Sequence, residues 1–322
     1  MKVIAYRSFG SPDVLRLEDV PEPQPQGGEI LVRNSATTVS AAETAARKGK
    51  GFARLYFGLR RPRFPILGST FAGEVLATGS GTRFSVGDRV FGSVGPRFGA
   101  LAEVARVTTG GAIAAIPPNL SFAEAAAVFD GALTALPFLR DSAELKPGQR
   151  ILVNGASGAV GTAAVQLAKH FGAEVTAVCS RRNHDLVRSL GADTVIDYTA
   201  EDFRTSGRTY DVIFDAIGKS SYAKCKGSLT ANGRYLTTVP SLGILARTLV
   251  TRRARGRRGA ISFTGLRPAA AVAADLEYIR DLAATGAYVP VIDGIYPLEQ
   301  TAEAHRYVDT ERKRGSVVVT ID

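Results

Sequence analysis

The chain has 322 residues, 45% hydrophobic and 22% charged, with a formal net charge of +10. This length predicts two domains, and the composition is that of a globular protein, which excludes disordered and fibrous classes. The N-terminus has no apolar signal region and no apolar run approaches the ~18 residues of a membrane span. We therefore expect a cytoplasmic protein with no membrane partner.

The first 125 residues predict many short strands separated by turn residues. The predicted strands lie near 3–6, 29–32, 71–76, 87–92 and 100–107. A short helix is predicted over 39–49, and a basic, aromatic loop over 50–64. Short strands at close spacing are typical of a β-rich, barrel-like domain.

The period of the pattern changes at Ser121, which begins a capping box with Glu124. Helices are predicted over 122–143, 160–171, 183–190, 219–230, 269–285 and 298–308. Apolar strands are predicted over 151–154, 174–179, 194–197, 211–215, 234–239 and 316–321. The alternation of strands and helices indicates a parallel sheet covered on both faces.

A strand, a glycine turn and a helix follow one another in Ile151–Gly161, ILVNGASGAVG. Gly155 permits unusual backbone angles, Gly158 permits close approach of phosphates, and Gly161 permits helix and strand to touch. The N–H groups of the new helix then face an anion. The glycines alone are also compatible with a tight turn that binds no ligand. Because Glu174–Cys179 follows as a second strand, the β-α-β unit favours a dinucleotide site.

The residues after that second strand indicate which dinucleotide is bound. An NAD site usually places an acid there to bind the ribose 2′-hydroxyl. This chain has Ser180-Arg181-Arg182-Asn183, and its next acid is Asp185. Arginine pairs bidentately with phosphate, so we expect NADPH as cofactor. The alternative is that both arginines are merely solvated.

Three features bear on metal and nucleic-acid binding. Cys179 and Cys225 are the only cysteines and lack CxxC spacing, and the three histidines show no metal-ligand spacing. The pattern predicts free thiols and no structural or catalytic zinc. An arginine cluster over 247–258 has no acid and no interleaved aromatic residue, which disfavours base stacking. A solvated or phosphate-attracting loop is the simpler interpretation, and nucleic-acid binding stays open.

Several segments together resemble the zinc-independent branch of the medium-chain dehydrogenase/reductases, the quinone oxidoreductase-like and enone reductase-like proteins. The resemblance runs the full length, through PILGSTFAGEV (65–75), GDRVFG (87–92), LTAL (133–136), KPGQRILVNGASGAVG (146–161), LGADTVIDY (190–198), YDVIFDAIG (210–218) and PLEQTAEAHRYV (297–308). It implies an α/β fold with a GroES-like β-rich catalytic domain, residues 1–124 completed by 266–322. A Rossmann domain with a doubly wound parallel sheet would occupy 125–265. The active site would be the cleft where the domains meet.

The resemblance also implies site residues. The pyrophosphate would be held by Ser157, Gly158, Ala159 and Val160, and the 2′-phosphate by Ser180, Arg181, Arg182 and Asn183. Other cofactor-binding positions would be Tyr198, Ile217, Gly218 and Val239. Polar candidates at the nicotinamide end are Ser40 and Thr134. Each hydroxyl is equally compatible with an ordinary bond to nearby backbone.

Departures from the family pattern concern the acceptor end. Family members often carry Asn-Pro-x-Asp where this chain has Ser40-Ala41-Ala42-Glu43, and some carry Tyr and Asp where Ala45 and Thr70 stand. The metal ligand of the zinc-dependent branch falls within Gly68-Ser69-Thr70 and is absent. Without a Lewis acid, acceptors that spread charge themselves are favoured, namely quinones and α,β-unsaturated carbonyls.

Two functions remain as hypotheses. The first is NADPH-dependent transfer of hydride to a quinone, enone or related activated carbonyl, by an enzyme that is usually a homodimer in this family. The second is an NADPH-binding protein with little turnover that acts as a structural or RNA-binding partner. The segments 50–64 and 240–268 are predicted loops that select the acceptor. The natural dimer edge is expected near 234–239 and 261–264.

Overall fold

The computed structural model describes residues 1–49, 53–251, 256–262, 264 and 267–321. Its strands are β1 Lys2–Tyr6, β2 Leu15–Asp19, β3 Glu29–Thr38, β4 Thr70–Thr78, β5 Arg89–Ser93, β6 Val104–Thr108, β7 Ile113–Ala115, β8 Arg150–Asn154, β9 Glu174–Cys179, β10 Thr194–Asp197, β11 Tyr210–Asp215, β12 Leu229–Thr237, β13 Arg258–Ile261, β14 Ile292–Pro297 and β15 Ser316–Thr320. Its α-helices are α1 Ala41–Lys48, α2 Ala53–Phe57, α3 Phe122–Pro137, α4 Ala159–His170, α5 His184–Ser189, α6 Tyr222–Cys225, α7 Leu242–Thr251, α8 Ala269–Ala284 and α9 Thr301–Asp309.

The chain divides into two compact units. Unit 1 comprises Met1–Asp130 and Pro268–Asp322, and unit 2 comprises Gly131–Arg267. The division differs by a few residues from the sequence prediction, because α3 runs unbroken through the first boundary.

Unit 1 is built on antiparallel strands closed by the end of the chain. A sheet of order β14-β15-β3-β4-β5-β7, with β6 also paired to β3, accompanies the hairpin of β1 and β2. Val317 and Val319 of β15 are fully buried and belong to the same apolar cluster as Ile4 and Val39. Burying such side chains contributes roughly 1.5–3 kcal/mol each, so the C-terminal segment is part of this unit's core.

Unit 2 is a six-stranded parallel sheet of order β10-β9-β8-β11-β12-β13. Strands β8 and β11 lie in its middle and read as continuous apolar runs, as parallel strands covered on both faces do. The strand order reverses between β8 and β11, and in such sheets ligands bind beyond the carboxyl ends at this switch point. The predicted Rossmann fold is confirmed.

Four sequence predictions were wrong in detail. The predicted loops contain helices, α2 within 50–64 and α7 within 240–268, where apolar residues recur at helical spacing. The helix predicted over 219–230 ends early, because a 3₁₀ turn that includes Gly227 follows α6 and β12 begins at Leu229. The strand near 234–239 is not an edge, because β12 pairs with both β11 and β13.

The stretch Phe122–Ser142 is long and apolar enough to cross a membrane by length and composition. It contains the charged residues Glu124, Asp130, Arg140 and Asp141, so it is not an unbroken apolar run. Within the protein, 67% of its most apolar 18 residues are buried. Burial of this kind is typical of the core helix of a globular domain.

Both cysteines are free and buried, Cys179 at the end of β9 and Cys225 at the end of α6. Their pKa values are raised by burial, that of Cys179 to about 11.

Candidate functional site

The glycine turn between β8 and α4 has the geometry that each of its glycines requires. Gly155 has φ of +79°, and a Cβ there would lie 2.5 Å from Ile217. A Cβ on Gly161 would lie 2.1 Å from the carbonyl oxygen of Gly155. At Gly158, by contrast, the nearest atom to an added Cβ is 3.8 Å away. Packing therefore requires glycine at positions 155 and 161. At Gly158 it does not, and the open space there leaves room for a ligand.

The turn after β9 lies directly against the glycine turn. Asn183 is buried, and its Nδ2 donates to Ser157 Oγ at 2.9 Å and to Ser180 Oγ at 3.3 Å. Its Oδ1 is buried without a hydrogen-bond partner among the described residues. Because a buried unpaired carbonyl oxygen costs about 1–3 kcal/mol, this atom points to a missing donor. Arg181 and Arg182 are exposed beside it.

The remaining predicted cofactor positions follow the strands of unit 2. Tyr198 comes directly after β10 and is 63% exposed. Ile217 follows β11 and Val239 follows β12, and each is 44% exposed. A Cβ on Gly218, which has φ of +65°, would lie 2.6 Å from Val239. These residues form an apolar surface beyond the carboxyl ends of the central strands.

Asp215 organises that surface and was not identified from the sequence. It ends β11, is fully buried, and accepts hydrogen bonds from Asn154 Nδ2, Tyr235 Oη and the backbone N–H groups of Ile217, Gly218 and Ser220. The sequence feature that could have identified Asp215 is an acidic residue at the end of an apolar strand. The carboxylate fixes the loop that carries Ile217 and Gly218.

These residues of unit 2 fit NADPH. The open space at Gly158 and the N-terminus of α4 suit the pyrophosphate. The two exposed arginines suit a 2′-phosphate, and Asn183 Oδ1, which has no partner among the described residues, would accept a hydrogen bond from a ribose hydroxyl of the bound cofactor.

Unit 1 holds a second polar site, centred on Glu43 of α1. Ser40 caps α1 and forms a reciprocal capping box with Glu43. Glu43 Oε1 accepts two hydrogen bonds from Ser69, one from the backbone N at 2.7 Å and one from Oγ at 2.9 Å. Ser40 and Ser69 are half-buried, whereas Glu43 is fully buried behind them. The arrangement places a buried acid in contact with the hydroxyl of a half-buried serine.

The pKa of Glu43 is raised to about 7, chiefly by burial and to a smaller extent by the nearby charge of Asp130, while the hydrogen bonds from Ser40 and Ser69 act to lower it. Both protonation states of Glu43 are therefore populated near neutral pH. A group with such a pKa is suited to give up a proton and regain it near neutrality.

Asp130 belongs to a buried cluster with Lys313. Its Oδ2 accepts from Ser316 Oγ at 3.2 Å and lies 4.0 Å from Lys313 Nζ. The two charged side chains are 10% and 13% exposed. Burial lowers the pKa of Lys313, and burial with the charge of Asp130 raises that of Tyr288. Of this cluster, Asp130 is the member whose charge acts on Glu43.

Comparison with known proteins decides the family. Residues 26–118 match the model of the alcohol dehydrogenase GroES-like domain, and residues 190–319 match that of the zinc-binding dehydrogenases. The chain is 32% identical over 335 residues to the 2-methylene-furan-3-one reductase of Solanum lycopersicum, covering 99% of this chain and 79% of that protein. The chain belongs to the quinone oxidoreductase-like medium-chain dehydrogenase/reductases.

Solved structures of this family are similar over the whole chain. The quinone oxidoreductase of Coxiella burnetii has a TM-score of 0.89 and 28% identity, covering 100% of this chain and 99% of that one. The Escherichia coli quinone oxidoreductase complexed with NADPH has a TM-score of 0.84 and 26% identity, covering 99% and 100%.

Where the zinc-dependent family members have a metal ligand, this chain has Ser69 and Thr70, whose side chains form hydrogen bonds within unit 1. Ser69 bonds to Glu43, and Thr70 is buried with its Oγ1 at 2.9 Å from Thr38 Oγ1. In the part of the chain that the structure describes, no group of three or more His, Cys, Asp or Glu could hold a metal ion. Thr70 therefore ties β3 to β4, where some family members have an Asp.

The two predicted catalytic hydroxyls lie in different units. Ser40 is in unit 1 and its Oγ accepts from Glu43 N at 3.2 Å, whereas Thr134 is half-buried on α3 in unit 2. The sequence analysis did not assign a role to Glu43 or Ser69. The S-x-x-E pattern of 40–43 was the available signal, since the same pattern was recognised at 121–124.

Proposed function

We infer that this protein is an NADPH-dependent oxidoreductase that transfers hydride to quinones and α,β-unsaturated carbonyls, and that Glu43 supplies the accompanying proton through Ser69. The observation that carries the proton route is the contact between the buried carboxyl of Glu43 and the half-buried hydroxyl of Ser69. The hydride route is supported by the dinucleotide site of unit 2 and by relatives named as a 2-methylene-furan-3-one reductase and quinone oxidoreductases.

NADPH, when bound, supplies hydride to the electron-poor carbon of the acceptor. The electrons of the acceptor's double bond then collect on its oxygen, which takes the proton of Ser69 Oγ. Protonated Glu43 donates to Ser69 Oγ as that proton leaves, which reverses the hydrogen bond seen between them, and the carboxylate of Glu43 is then reprotonated from solvent through Ser69. Ser40 is a positioning residue, because its N–H holds Glu43 Oε2 at 3.1 Å.

The test is Glu43→Gln, which keeps the size of the side chain and its ability to serve in a capping box. We expect kcat with an enone to fall by about 100-fold or more, as for loss of a general acid. In the wild type, kcat falls as pH rises through about 7, and the variant loses this dependence. In the variant Asp130→Asn, the midpoint of the fall in kcat should lie at a lower pH than in the wild type, because the substitution removes a charge that raises the pKa of Glu43.

The matched control is Glu124→Gln, which alters the other capping-box glutamate, at the start of α3. Its kcat and pH profile should equal those of the wild type. If Glu43→Gln retains kcat within about twofold of the wild type, the proton route is wrong while the hydride reaction stands.

The alternative of a nucleic-acid-binding partner has no supporting observation. Of the cluster over 247–258, Arg252, Arg253 and Arg255 lie outside the described residues. Arg247 stacks on Tyr222 and donates to its hydroxyl at 2.8 Å, and Arg257 donates to the carbonyls of Leu229 and Thr230. These two arginines are half-buried and hold unit 2 together, contrary to the expectation of a solvated loop.

The homodimer and the cytoplasmic location stay predictions. Among the described strands β13 is an edge of the parallel sheet, so we propose that two copies join there. Light scattering of the purified protein would give the mass of one chain if this proposal is wrong.

A further inference from the structure

A strongly basic segment follows α1, the helix of unit 1 that carries Glu43. Between Glu43 and Glu74 the sequence contains no Asp or Glu, and it contains the basic residues Arg47, Lys48, Lys50, Arg54, Arg60, Arg61 and Arg63. Of these, Arg54, Arg60, Arg61 and Arg63 are exposed, as is Arg97. We call these five residues the arginine rim. Within the described part of the chain, none of the five forms an ion pair with a carboxylate.

Two arginines of the rim, Arg54 and Arg63, are held by aromatic and backbone contacts, and Arg63 lies against an aromatic cluster. The rings of Phe57, Phe64 and Phe98 pack on one another with centroids 5.2–6.4 Å apart. The guanidinium of Arg63 lies 5.5 Å from the centre of the Phe64 ring. Arg54 Nε donates to the carbonyl of Leu59 at 2.7 Å. Arginines stacked and bonded in this way lose less freedom when they bind an anion.

The loop that carries Arg97 lies against the serine proposed to deliver the proton. The N–H of Gly99, two residues after Arg97, donates to the carbonyl of Gly68 at 3.0 Å, and Ser69 comes next in the chain. The N–H of Val94 donates to the carbonyl of Ser69 at 3.1 Å. From the other side, Tyr56 Oη donates to the carbonyl of Pro96 at 3.1 Å, which joins α2 to the same loop.

We propose that the acceptor reduced by this protein carries an anionic group, a phosphate or a carboxylate, and that the arginine rim binds it. Guanidinium groups pair bidentately with these anions, and unpaired arginines at one place attract them from solution. A neutral quinone or enone would leave the rim without a partner. This inference rests on the proposed function, because it names the substrate class of the same site.

The experiment compares one anionic acceptor with two neutral acceptors of the same skeleton. NADPH oxidation is followed with 4-phenylbut-3-en-2-one, with its para-carboxylate, and with the methyl ester of that acid as the control for size. We expect kcat/KM for the carboxylate to exceed both neutral values by about tenfold or more at low salt, mainly through KM. The preference should shrink as the salt concentration rises.

The variant for this test is the triple substitution Arg60→Ala, Arg61→Ala, Arg63→Ala. It should bring the ratio of carboxylate to ester close to one and leave the kinetics with the ester unchanged. The matched control is Arg16→Ala, Arg33→Ala, Arg106→Ala, three exposed arginines on strands of the same unit, which changes the net charge equally. That control should keep the wild-type ratio.

Two further measurements separate the possible failures. If no enone is turned over, the proposed function is wrong, and the rim is then tested by calorimetry with the saturated carboxylate, 4-(3-oxobutyl)benzoate. Binding of this compound that the triple substitution abolishes would support the rim as an anion site, and no binding would overturn it. Equal kcat/KM for carboxylate and ester would also overturn the inference.

Flotation with vesicles containing phosphatidylserine tests the other source of phosphate. If the wild type floats, the triple variant does not, and the carboxylate preference is absent, the rim binds lipid headgroups and the inference about the acceptor is wrong.

Discussion

In unit 2 the candidate site is made mostly of backbone, whereas in unit 1 it is made of buried titratable side chains. The glycine turn and the N-terminus of α4 present backbone N–H groups, which carry no titratable charge. In unit 1, burial has moved the pKa values of Glu43 and Lys313 toward neutrality. The chemistry of the acceptor should therefore depend strongly on pH near neutrality.

The largest effect is expected from the buried cation of unit 1. Arg47 is fully buried, donates to the carbonyl of Gly10, and pairs with Asp309 at 2.5 Å. Arg47→Met removes the buried partner of Asp309, which keeps Lys48 at 2.8 Å, and should lower the free energy of unfolding by about 3 kcal/mol, the lower end of the range for a broken buried ion pair, measured with urea at pH 7. Arg306→Met removes an exposed arginine paired with Asp13 and Glu303 and should cost less than about 1 kcal/mol. Equal losses of unfolding free energy in Arg47→Met and Arg306→Met would contradict the importance of the burial of Arg47.

A smaller effect, confined to the cofactor, is expected in unit 2. The double substitution Arg181→Ala, Arg182→Ala should raise KM for NADPH by about 10–100-fold and leave KM for NADH unchanged, because only NADPH carries the 2′-phosphate. Initial rates with both cofactors measure this ratio. Arg188→Ala, on α5, is the control and should change neither KM. Parallel losses with both cofactors would remove the assignment of the two arginines.

The smallest effect is a pH dependence of stability in unit 1. His305 is buried, accepts from Arg47 Nε at its Nδ1, and its pKa is lowered by burial and by that arginine to about 3. Unfolding releases the ring to its ordinary pKa of 6.5, so the unfolded state binds the extra proton. The stability due to neutral His305 is complete above 6.5 and is lost as pH falls toward 3, by about 1.4 kcal/mol per pH unit.

His305→Gln removes this titration and keeps an acceptor for Arg47. The difference in unfolding free energy between wild type and variant should therefore change by about 2 kcal/mol between pH 6.5 and pH 5. Glu43 acts in the opposite sense, since its raised pKa stabilises the fold below 4.5 and the contribution is lost as pH rises through about 7. It is present in both proteins and cancels in the difference. A difference independent of pH would contradict the buried neutral imidazole.

The two units also differ in how far the sequence predicted them. The glycine turn, the central strands and the Ser157–Asn183 neighbourhood follow from local pattern and from the rule that parallel strands end at one edge. The Asp130–Lys313 pair joins residues 183 positions apart in the chain, and the Arg47–Asp309 pair joins residues 262 apart. No periodicity connects such pairs, since they meet only when the C-terminal segment packs into unit 1. The pKa of Glu43 has the same origin, because it depends on burial.

The two buried cysteines have a consequence for an enzyme that handles conjugated carbonyls. Such compounds alkylate proteins by conjugate addition, and the attacking species is the thiolate. Cys179 and Cys225 are the only thiols of the chain, both are buried, and their raised pKa values keep them protonated at neutral pH. The protein therefore presents no reactive sulfur to its own acceptors, and it should survive concentrations of enone that inactivate enzymes with exposed cysteines.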